Sequence, residues 1–266
     1  MASLDVWRRL VGAQIRADWQ YRTSFFLFLI SQTVIACMDL AVVASIFTQV
    51  DSLAGWSGME VALLFGLSGV AFGLADITIS QVETASRHIK AGTFDLFLLR
   101  PIPALLHLSA TEFALRRLGR VLQPLVVLVV ALVLAPVEWR AETIVLVVVT
   151  LVSGTLIFGS VWVVTSSISF WTVDSQEVAN AFTYGGGLAT SYPIDVLARW
   201  MRHLVTFLVP LAFVAYLPAA RLLGREQPLG LPGAVAWATP VVAVASVLVA
   251  RAVWGLALRH HRSTGS

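Results

Sequence analysis

Hydrophobic positions in this chain come in long runs rather than in alternation, and residues 121–135 and 143–170 contain no charged side chain. A bilayer core about 30 Å thick is crossed by roughly 20 apolar residues at about 1.5 Å each. Lipid offers backbone groups no partners, so such runs predict helices. A membrane barrel would instead alternate over strands of about ten residues. Six spans follow from the pattern, at about 24–47, 60–80, 119–136, 142–170, 177–192 and 234–258. Gly185, Gly186 and Gly187 are expected to interrupt the fifth, and Asp39 lies inside the first.

Two stretches fit no span. Residues 3–22 place Leu4, Trp7, Val11, Ile15 and Trp19 near one helical face and arginines largely on the other. That pattern suits a helix lying along the membrane surface, or one packed on a soluble partner. Residues 204–217 are apolar but too short to cross, with Pro210 in the middle and Pro218 at the end. Proline removes a helical hydrogen bond and turns the chain. The region 193–233 therefore predicts a re-entrant helical hairpin rather than a seventh span. The expected architecture is all-α: one polytopic membrane domain over 1–266, with a surface helix at 1–23 and a polar segment at 81–117.

Composition agrees, with 58% hydrophobic and 12% charged residues among 266 and a mean hydropathy of +0.84. A soluble domain of this size needs far more polar surface. The net charge of +3 is small and unclustered, which argues against a nucleic-acid surface. It bears on topology instead, because cytoplasmic loops collect Lys and Arg. Thirteen of the 18 basic residues fall in the N-terminal segment, in 81–120 and near the C-terminus. Both termini and 81–117 are thus expected in the cytoplasm, and the hairpin outside. Trp56, Trp139 and Trp237 then sit at outer span ends, and Trp171 and Trp254 at inner ones, as an aromatic belt requires. One cysteine, Cys37, forms no internal disulfide. Arginine in place of lysine throughout, Lys90 excepted, hints at a GC-rich bacterial genome. The first 22 residues lack the apolar core of a cleavable signal peptide.

Chemical motifs are few. A phosphate loop of the form G-x-x-x-x-G-K-[ST] needs a lysine, and Lys90 lies in Ile89-Lys90-Ala91-Gly92. Zincin, nucleophile-elbow and Cys/His patterns are missing too. His260 and His261 read as a solvated basic tail. Asp39 is costly in a bilayer. It serves either a substrate or proton path, or a hydrogen bond inside the bundle. Asp76 is placed near Gln81 and Glu83, where it can reach water in a structural role.

Residues 86–103 are the most informative. A basic turn with Arg87 and Lys90 should end at Gly92, and Thr93 or Asp95 should cap the next turn. Phe94, Leu96, Phe97, Leu98 and Leu99 then present apolar surface before Arg100, Pro101 and Pro103. Such an element suits either a partner's groove or the lipid interface.

The run Ile89-Lys90-Ala91-Gly92-Thr93-Phe94-Asp95-Leu96-Phe97-Leu98-Leu99-Arg100-Pro101 resembles the signature of ABC-2 family transporter permeases, in their six-span branch. Tyr21-Arg22-Thr23-Ser24-Phe25, Phe170-Trp171-Thr172-Val173 and Tyr192-Pro193-Ile194-Asp195 agree in order, as do 207–213 and 216–219. The resemblance implies a permease of an ATP-driven exporter in a bacterial cytoplasmic membrane. It implies a second permease copy or a sister permease, and two copies of a separate ATPase that binds ATP and magnesium. This chain would bind no cofactor itself. Arg87, Lys90, Phe94, Asp95, Phe97, Leu98 and Arg100 would then contact the ATPase. Asp39 would mark the pathway, and Gly185, Gly186, Gly187 and Pro210 would serve as hinges. A secondary transporter with Asp39 as its coupling group, and an assembly protein without transport, are the competing classes.

Overall fold

The computed structural model describes residues 6–7, 9–13, 15–16, 22–99, 102–111, 115–172 and 176–261. Arg100 and most of the N-terminal segment lie outside the described residues, as do some side chains within helices, Asp39 among them. Among the described residues the chain is helical, and the one β-bridge joins Leu53 to Trp56. The helices are α1 Arg22–Phe47, α2 Gly58–Thr78, α3 Ala85–Lys90, α4 Asp95–Leu98, α5 Ala104–Thr111 and α6 Gly119–Leu134. They continue with α7 Ala141–Ser167, α8 Gln176–Thr190, α9 Arg199–His203, α10 Tyr216–Leu222 and α11 Thr239–His260.

Among the described residues, and with their 3-10 extensions, three helices are long and apolar enough to cross a membrane: Gly58–Thr78, Ala141–Phe170 and Gly233–His260. α1 has 26 residues and α6 has 16. α2 starts where Glu60 Oε2 accepts a hydrogen bond from the Ser57 amide at 2.7 Å, which satisfies a free donor of the first turn. It packs between α6 and α7, and α7 packs on α11. The α2–α6 approach is close because glycine leaves room. A Cβ on Gly66 would lie 2.6 Å from Leu128 Cα, and one on Gly73 2.8 Å from the Arg120 carbonyl oxygen. Small residues at such crossings are what lets membrane helices associate.

Two features differ from the expected pattern. α8 runs unbroken through Gly185, Gly186 and Gly187. The last two face close neighbours: a Cβ would lie 3.1 Å from Leu211 Cδ1 at Gly186 and 2.9 Å from Phe72 Cδ2 at Gly187. Glycine here admits packing, which offsets its weak helix propensity of about 1 kcal/mol. Asp76, expected to reach water, is fully buried. The reason is a pair of arginines that come to it, described below.

At Pro210 the chain does turn. Segments Arg199–Leu208 and Leu211–Leu222 meet at 77°. The first limb ends in a π-helical turn, Leu204–Leu208. The second is buried from Leu211 to Ala220 against the main core of α2, α6 and α7. By length and composition the pair makes either one broken span or a re-entrant loop.

Candidate coupling site

α3 ends in a Schellman motif. The Gly92 amide donates to the Ile89 carbonyl at 3.1 Å and the Thr93 amide to the His88 carbonyl at 2.9 Å. Gly92 has φ of 67°, a left-handed conformation that favours glycine. The chain then reverses into α4. No side chain caps α4; Thr93 Oγ1 instead meets His88 Nδ1 at 3.0 Å.

The apolar residues of this segment split into two sets. Phe94 and Phe97 are buried, against the expectation that they form surface. Phe94 meets Phe170 edge-on, with centroids 5.1 Å apart, and Phe170 meets Trp254 at 5.4 Å. Phe97 packs between the rings of His88 and His107, both at 4.7 Å. The sequence pattern could not separate these phenylalanines from the leucines, because α4, at 4 residues, is too short to show a face. Leu96, Leu98 and Leu99 remain 61%, 45% and 80% exposed. Arg87 and Lys90 on α3 are exposed as well.

His261 is not the freely solvated residue expected. His261 Nε2 lies 3.0 Å from Asp95 Oδ1, and its ring stacks edge-on with Phe94 at 5.1 Å. The segment is therefore gripped by the ends of α7 and α11. At the N-terminal side, Trp7 donates to Ser109 Oγ on α5 at 3.2 Å, and Val11 is buried.

Just inward of this segment lies a charged cluster. Asp76 Oδ1 receives Arg117 Nη1 at 2.8 Å, and its Oδ2 receives Arg120 Nη1 at 2.9 Å. Ser80 Oγ donates to the Asp76 carbonyl at 2.6 Å and itself accepts from Arg117. Glu83 accepts the indole N–H of Trp162. Burial pushes the Glu83 carboxyl above the ordinary glutamate range, and the indole hydrogen bond offsets part of that.

The opposite end of α2 carries a second polar group that the sequence did not announce. Asp195 Oδ2 accepts from Trp56 Nε1 at 3.1 Å and from the Tyr216 hydroxyl. Arg225 binds both Glu60 oxygens, at 2.9 and 2.7 Å, and lies 4.6 Å over the Trp56 ring. The available signal was carboxylates and arginines at the ends of apolar runs. These contacts join the loop before α2 to the bent pair.

Between α1, α2, α6 and α8 runs a cleft of about 480 Å³. Ile35, Val42, Phe65 and Phe72 give it apolar walls, and Arg120 and Tyr184 add polar groups. Among the described residues no group of His, Cys, Asp and Glu is placed to hold a metal.

A chain whose described residues form helices of such apolar lengths is an integral membrane protein. A family model for ABC-2 family transporter proteins matches residues 33–265, so the chain belongs to that family. It is a permease component of an ABC transporter, and such components work with an ATPase partner. No curated protein and no solved structure matches the chain.

Proposed function

We propose that this chain is the permease of an ATP-driven exporter, docked to its ATPase through residues 85–99. The carrying observation is the division within that segment: Phe94 anchors it to the ends of α7 and α11 and Phe97 packs between His88 and His107, while Leu96, Leu98 and Leu99 are exposed. A held apolar patch within a segment that also exposes Arg87 and Lys90 suits a groove with an acidic rim. ATP and magnesium bind on the partner, two copies of which serve two permease subunits. Closure of the ATPase pair pushes α4, and Phe94–Phe170–Trp254 pass the movement to α7 and α11. A nucleotide shifts such an equilibrium only through different affinity for the two states.

In this reading six spans cross a bacterial cytoplasmic membrane with both termini inside, and the bent pair is an outer re-entrant hairpin. A second copy or a sister permease closes over the cleft of α1 and α8, forming the path. The exposed α1 residues Ile30, Val34 and Met38 support a covered or lipid-facing surface there. Asp39 follows Ile35 by four positions and precedes Val42 by three, a helical register shared with two residues of the cleft. Pro210 and the glycines of α8 are the points at which the hairpin and α8 yield.

A tagged chain expressed with its neighbouring genes should retain an ATPase subunit through detergent purification. Repeated purification without any ATPase, from membranes that contain it, overturns the proposal.

A further inference from the structure

A second cleft, of about 610 Å³, lies between α7, α8, α11 and the first limb of the bent pair. That volume is typical of small-molecule sites. Val161, Val164, Phe182, Phe213, Val242 and Val249 line it, and no lining residue is charged. Its rim, at Phe207 and Leu208, is exposed. In an integral membrane protein that apolar rim faces hydrocarbon.

The hydroxyls in the wall are not equivalent. Ser160 donates to the Leu156 carbonyl at 2.7 Å and Thr165 to the Val161 carbonyl at 2.8 Å, so both donors are used within α7. Thr206 Oγ1 is buried and has no partner. Serine and threonine in apolar helices normally bond back to the carbonyl four residues earlier, as these two do. Thr206 sits in the π-helical turn Leu204–Leu208, where the widened backbone register is a frequent mark of functional positions. A buried hydroxyl without a partner is costly. One acceptor entering the cleft would satisfy it.

The occupant is thus defined by what the cleft offers: a long apolar volume, one buried O–H donor without a partner at Thr206, and no charge. A headgroup is excluded, because a charge here would be desolvated without a partner. We infer that the cleft holds the acyl chain of a membrane lipid, whose ester carbonyl accepts a hydrogen bond from Thr206 Oγ1. The site lies apart from the α1–α8 cleft and does not depend on ATPase docking.

The test is lipid retention by the detergent-purified chain, read by native mass spectrometry. The probes are dioleoyl phosphatidylcholine and its diether analogue, which has the same chains and headgroup but no carbonyl. Wild type should hold the ester lipid about three- to tenfold more tightly than the diether, the effect of one hydrogen bond. Thr206→Val should bring the ester lipid down to the diether level and leave the diether unchanged. Ala245→Phe, which fills the cleft, should abolish retention of both, with a melting profile confirming that each variant folds. Equal retention of ester and diether by wild type overturns the inference. So does a Thr206→Val variant that weakens both lipids alike, or an Ala245→Phe variant that keeps them. If Ala245→Phe instead abolishes a dimer and spares lipid binding, the cleft is a contact between copies and the inference fails.

Discussion

Asp76→Asn is expected to destabilise the detergent-solubilised chain by about 3 kcal/mol, measured by thermal or denaturant unfolding. Asp76 is fully buried, and its two oxygens are divided between Arg117 and Arg120. The amide keeps the shape but removes the charge, leaving two guanidinium groups in an apolar setting. Removing one member of a buried pair costs about 3–5 kcal/mol. The lower end applies because the arginine side chains keep 25% and 32% of their surface exposed. The triple variant Asp76→Leu, Arg117→Met, Arg120→Met should recover much of the loss, since apolar replacement of a whole buried pair is often neutral. An Asp76→Asn variant that unfolds with wild type would show that these pairs hold nothing together.

Leu98→Glu combined with Leu99→Glu should weaken ATPase binding by more than about tenfold while leaving the melting profile of the permease unchanged. Both side chains are exposed, at 45% and 80%, so the fold loses no packing. A docked apolar patch, by contrast, cannot accept two carboxylates without desolvating them. Phe97→Glu serves as the contrast. Its carboxylate would enter the aromatic packing between His88 and His107, and it should lower stability as well as binding. Affinity measured by light scattering or fluorescence on the purified components separates the two. If the double leucine variant binds like wild type, the outward leucines are not the contact.

Much of the helical frame was legible because hydrophobic length is a strong signal. The observed α2 and α7 begin within two residues of the expected spans at 60 and 142. The end of α3 at Gly92 was legible too, since one glycine in a left-handed turn marks a helix C-terminus. Side-chain direction was not legible. Phe94 and Phe97 read like their leucine neighbours in a one-turn helix, where no periodicity can develop. Asp76 looked solvent-accessible because its partners, Arg117 and Arg120, lie about 40 residues away. Trp56, Asp195 and Tyr216 meet for the same reason: pairing between polar groups far apart in sequence leaves no local pattern. The glycines of α8 were visible, but whether glycine breaks a helix or lets a neighbour approach depends on what packs there, here Phe72 and Leu211.

The central claim, that residues 85–99 meet an ATPase rather than lie on lipid, is tested most directly by photo-cross-linking from position 99. A photoreactive residue replacing Leu99 in the membrane-embedded complex should form an adduct with the ATPase subunit. The same residue replacing Leu248, exposed on α11, should react with lipid alone. Adducts to lipid alone from position 99 would contradict the account.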